Sequence, residues 1–87
     1  MTTAEAKAKI FQWLCSHYHD KGKTNNYIDT EAVKNATNIP ADVFAKALNE
    51  FVDPAGEIYV QVEISRRCLR LGTGGEQLCQ EGRNPFT

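Results

Sequence analysis

Eighty-seven residues make one small domain, enough for a single modest core and too little for a deep catalytic cavity. Hydrophobic residues make up 41% of the chain and charged residues 24%; with a net charge of −1, no whole-molecule field draws it to nucleic acid or an anionic membrane. No apolar run spans a bilayer, and "MTTAEAKAKIFQW" lacks a signal peptide's apolar block, so the expected location is cytoplasmic.

Residues 4–21 read as an amphipathic helix, with Ile10, Leu14 and Tyr18 at i, i+4 and i+8 and Phe11 and Cys15 beside them. Gly22 after Lys21 suits a helix stop with a cation in the last turn. "GKTNN" is a polar loop and "YI" a short extended piece. Asp29 or Thr30 can cap a second helix over "EAVKNAT", which Asn38-Ile39-Pro40 breaks. Pro40 sits well near the start of a third helix, "ADVFAKALNEFV", whose Phe44, Leu48 and Phe51 form one apolar stripe. That stripe is expected to pack on Ile10, Leu14 and the inward strand residues. "DPAG", residues 53–56, signals a turn.

The period then changes from helical to alternating. In "EIYVQVEI", Ile58, Val60, Val62 and Ile64 alternate with Tyr59, Gln61 and Glu63, which predicts a half-buried strand. "SRR" is a polar break and "CLRLG" a second strand, so the pair reads as a hairpin. "TGGEQLCQEG" can hold one or two helical turns. Residues 1–82 are therefore expected to form one domain, with "RNPFT", residues 83–87, as a flexible tail.

Two helices joined by a tight break and followed by a hairpin form a helix-turn-helix arrangement with a β-wing. The chain resembles the winged helix-turn-helix family, as in bacterial MarR-type and ArsR-type regulators, over about residues 6–80. The resemblance is carried by "YIDTEAVKNATNIPADVFAKALNEFV". Ile28 sits at the family's strand anchor, Val33 and Ala36 at inward positions of the motif's first helix, and Asn38-Ile39-Pro40 at its turn. Phe44, Leu48 and Phe51 match the inward positions of the recognition helix. "LGTGGEQL" is similar to the closing Leu-Thr-x-x-Gly-x-x-Leu, through Leu71, Gly75 and Leu78, with Gly72 where Thr is usual. The fold so implied is α+β: a winged helix with a three-helix core and a C-terminal hairpin wing.

The function so implied is DNA binding, as a transcriptional regulator or accessory factor. A recognition helix reads base edges with exposed polar and cationic side chains. Lys46 and Asn49 are the expected readers here. Arg66, Arg67 and Arg70 make an arginine-bearing wing suited to phosphates or a minor groove. Against them, Asp29, Glu31, Asp42 and Glu50 outnumber Lys34 and Lys46 in the helix-turn-helix stretch, and phosphate neutralisation supplies much of DNA affinity. The alternative is a winged helix used as a protein-interaction module, with Tyr59 and Phe86 as exposed aromatic contacts.

"LCSHYHDKGK" crowds Cys15, His17, His19 and Asp20 together. Each helical residue advances about 100°, so Cys15 and His19 share an edge while His17 points away. Zinc normally takes at least three protein ligands, so the expectation is no metal and no cofactor. Cys15 reads as a small core residue, His19 and Asp20 as solvated, and His17 as a cover for Trp13. Cys15, Cys68 and Cys79 are odd in number and widely spaced, without a C-x-x-C, which argues against a disulfide framework. "GTGGEQ" lacks the lysine of a phosphate loop, and no nucleophile stands with a base, so an enzyme is not expected.

Overall fold

The chain enters its first helix through a capping box. Thr2 Oγ1 accepts from the Glu5 backbone N–H at 3.1 Å, and Glu5 Oε1 accepts from the Thr2 backbone N–H at 2.9 Å. The Thr2 backbone bond, then its side-chain bond, holds the exposed Glu5 carboxyl below the usual carboxylate range. Helix α1 then runs Thr3–Asp20. In the computed structural model, which describes residues 1–52 and 58–87, it is followed by β1 (Ile28–Asp29), α2 (Thr30–Thr37), α3 (Ala41–Phe51), β2 (Val60–Glu63), β3 (Cys68–Leu71) and α4 (Thr73–Gln80). The described residues thus form an α+β domain of four helices and a three-stranded antiparallel sheet.

Strand β3 is central, in the order β1-β3-β2, so the first short strand joins the hairpin by pairing Ile28 with Leu69 and Asp29 with Cys68. Within the hairpin, Val60 pairs with Leu71, Val62 with Leu69 and Glu63 with Cys68. The alternation expected over Ile58–Ile64 forms a ladder only at its middle. Leu71 ends β3, and at the other end a turn begins, in which Arg66 N donates to Glu63 O and Arg67 N to Ile64 O. Ile58 and Ile64, expected to point inward, therefore lie outside the ladder at 55% and 53% exposure. The "DPAG" turn lies outside the described residues.

The core joins Ile10, Phe11 and Leu14 of α1 to Val33 of α2, Phe44, Ala47 and Phe51 of α3, and Val60, Leu69 and Leu71 of the sheet. Two inward assignments shift. Leu48 is only half-buried, and Ala47 takes the third buried place on α3. Ala36 is exposed, whereas Thr37 is buried and its hydroxyl donates to Val33 O at 2.7 Å. That bond inside the helix makes the buried hydroxyl tolerable.

Two departures concern the C-terminal end. Cys15 of α1 and Cys79 of α4 form a disulfide, with Cα atoms 5.5 Å apart. The cysteine count did not reveal this pair, because its partners are 64 residues apart. Residues 83–87, expected to fray, fold back on α1. Asn84 Nδ2 donates to Ala8 O at 2.9 Å. Phe86 makes edge-on contacts with Phe11 at 5.9 Å, Phe51 at 5.4 Å and Tyr59 at 5.8 Å between ring centroids. Tyr59 and Phe86, read as exposed anchors, are thus half-buried against each other. Gly75 lets α4 approach the hairpin closely, since a Cβ there would meet the Tyr59 backbone.

Candidate functional site

Helix α2 ends at Asn38, in the left-handed region at φ 55°, which asparagine tolerates better than most residues. Ile39 is buried beneath this turn, and Pro40 starts α3. With Phe44, Ala47 and Phe51 turned inward, the neighbouring strip of α3 faces the hairpin. There Ala41, Ala45 and Leu48 form one wall of a groove of about 430 Å³. Val62, Ile64 and Arg67 form the opposite wall, and Thr30, Glu31 and Lys34 of α2 close one end.

Lys46 and Asn49 are exposed on α3. Asn49 lies one turn from Ala45 and so borders the groove, while Lys46 is rotated further round the helix. Arg66 and Arg67 are exposed at the hairpin tip. The tip does not project freely: Arg67 O accepts from the Thr30 backbone N–H at 2.9 Å, pinning it to the start of α2. Arg67 adopts φ 53°, the left-handed region that glycine occupies at no steric cost.

Arg70 is not part of this face. It alternates between buried Leu69 and Leu71, so it points to the other side of the sheet. Its Nε donates to Gln61 Oε1 at 2.8 Å, and its guanidinium stacks 4.4 Å from the Tyr27 ring centroid. The expectation that it joins Arg66 and Arg67 is therefore corrected.

Tertiary packing also redistributes charge. Lys7 of α1 reaches Glu50 of α3 at 2.8 Å, and Lys34 pairs with Glu31 at 3.1 Å. Two acids of the helix-turn-helix stretch are thus matched by cations, and Arg67 stands across the groove with Arg66 beside it at the hairpin tip. Lys7, Arg66 and Arg67, which lie outside residues 27–52, offset the acidic excess of that stretch. The sequence missed the groove's apolar side, Ala41, Ala45 and Ile64. The one signal for it was that Ala41 and Ala45 share the strip beside Leu48.

The crowded stretch of α1 disperses. His17 stacks on Trp13 with ring centroids 5.1 Å apart, as expected of a cover, while His19 and Asp20 are exposed. Among the described residues, no group of three His, Cys, Asp or Glu side chains is placed to hold a metal ion. His19 Nε2 instead lies 3.6 Å from Cys79 Sγ. No helix among the described residues is long and apolar enough to cross a membrane. In comparisons with known proteins, no family model, curated protein or solved structure matches the chain.

Proposed function

We propose that the chain is a winged-helix domain that binds duplex DNA as a cytoplasmic regulator or accessory factor. The element order and the central position of β3 support that fold reading. Helix α3 is then the recognition helix and the hairpin a short wing. Lys46 and Asn49 meet base edges, Arg66 and Arg67 meet phosphates or the adjacent minor groove, and Ala41 and Ala45 allow close approach to a thymine methyl.

The observation that carries this reading is Arg67. An arginine at a left-handed position at the tip of an exposed turn costs about 1–2 kcal/mol relative to an unstrained site. Glycine would remove that cost, which supports a use for the side chain there; Lys23 holds φ 64° as well, so the place of Arg67 on the groove is what singles it out. It lines the groove opposite Ala45 and Leu48.

The test is a titration of random and selected duplexes at two salt concentrations. Replacing Arg66 and Arg67 by Ala weakens binding to all sequences alike and flattens the slope of log affinity against log salt by about one to two. Replacing Lys46 or Asn49 blunts discrimination between sequences by about 1–3 kcal/mol for each well-formed hydrogen-bonded pair with a base edge. Arg70→Ala leaves both unchanged. A second reading, a protein-interaction module, is favoured by the groove's apolar lining of Phe44, Leu48 and Val62 beside Ile64, itself 53% exposed. No binding of any duplex at low salt would sink the DNA reading and leave this one.

A further inference from the structure

Cys15 and Cys79 are 7% and 5% exposed, as a sealed staple would be. Their surroundings are not those of a sealed staple. Both line a cleft of about 180 Å³ shared with Gln12, Ser16, His19 and Arg83. His19 is exposed to water at one end and places Nε2 3.6 Å from Cys79 Sγ at the other. A structural bond needs neither a base nor a path to solvent. A thiol that reacts needs both, because the thiolate is the attacking species.

We propose that Cys15 and Cys79 form a thiol–disulfide exchange site that reacts with small disulfides, with Cys79 as the attacking sulfur, His19 as its base and Cys15 as the resolving thiol. In the reduced protein, His19 Nε2 takes the proton of the Cys79 thiol. The Cys79 thiolate attacks one sulfur of a small disulfide such as oxidised glutathione. That S–S bond breaks, a mixed disulfide forms on Cys79, and one small thiolate leaves. Cys15 loses its proton to solvent and attacks the Cys79 sulfur, expelling the second small thiolate. The protein thereby loses two electrons and two protons, and the small disulfide is reduced to two thiols. The same cleft admits a small thiol for the reverse reaction. Arg83 also lines the cleft, with its guanidinium 3.5 Å from the Glu81 carboxylate.

The geometry separates this pair from Cys68, a free, half-buried cysteine on β3. Cys68 is an internal control in the same molecule. The cleft lies between α1 and α4 and shares no lining residue with the groove of α3 and the hairpin, so the proposal stands or falls independently of DNA binding.

The test uses the full chain in glutathione buffers of graded redox ratio, quenched with an alkylating agent and read by intact and peptide mass spectrometry. The expected result is reversible formation of the Cys15–Cys79 bond while Cys68 stays alkylated throughout. His19→Gln slows oxidation at least about tenfold at fixed pH and leaves the final redox ratio unchanged, as loss of a general base does. Cys15→Ala halts the reaction at a glutathione adduct on Cys79. A Cys15–Cys79 bond that resists reduced glutathione in the folded wild-type chain would overturn the proposal, and that measurement needs no variant. An unaltered rate in His19→Gln, or adducts on Cys68 instead of Cys79, would overturn it as well.

Discussion

Along the seam of α1, α4 and the tail, Phe86 is wedged among three aromatic rings and Cys15 is joined to Cys79. Across the groove between α3 and the hairpin tip, Leu48 and Val62 are only half covered, and Ile64 is 53% exposed. The seam is built largely from aromatic rings, and the groove from aliphatic side chains with Phe44. They differ also in cover: Phe86 of the tail closes the aromatic part of the seam, while the groove side chains other than Phe44 stay half-buried or exposed. A domain this small has few apolar side chains to spare. Under the DNA-binding proposal, this partly open surface beside Arg67 is the face that meets the ligand.

The sharpest way to break this comparison is truncation on the two faces of α3. Phe51→Ala, on the closed side, is expected to cost about 3–5 kcal/mol in urea denaturation. Leu48→Ala, on the groove, is expected to cost below about 2 kcal/mol, because its side chain already meets water. Equal losses would mean that the groove is as closed as the seam. Reducing the Cys15–Cys79 bond comes next. It should lower stability by roughly 2–4 kcal/mol, since the bond restrains a long loop of unfolded chain, while duplex binding at low salt stays unchanged. A matching loss of binding would show that the two sides are coupled.

Phe86→Ala probes the same seam more gently, with an expected cost of about 1–2 kcal/mol for a half-buried ring. A change within experimental error would mean that the tail does not contribute to the core. The smallest effect belongs to Arg67→Gly. Removing a left-handed arginine is expected to raise stability by about 1 kcal/mol or less, while weakening binding at the groove. Higher stability with weaker binding is the mark of a residue kept for function. A decrease in both would show that Arg67 serves the turn itself.

Much of this was legible beforehand in particular residues. The α1 stripe of Ile10, Leu14 and Tyr18 is buried, the break at Asn38-Ile39-Pro40 separates α2 from α3, and the helical period yields to alternation where the hairpin forms. Arg70 was legible too: standing between Leu69 and Leu71, it had to face away from the core, and strand parity outweighs its closeness in sequence to Arg66 and Arg67. Ile58 and Ile64 were not, because alternation marks a strand without saying how far its partner extends. The tail was not, because "RNPFT" has no period, and Phe86 finds its place only among rings from distant segments.

The sequence by itself determined the helices, their breaks, the hairpin and the exposed basic residues at its tip, because these depend on spacing within one turn or one strand. Only the tertiary structure decided which charges cancel, which cysteines meet and where the tail docks. Lys7 meets Glu50 across 43 residues, and Cys15 meets Cys79 across 64. Such partners are chosen by the packing of whole elements, and local spacing carries no record of them.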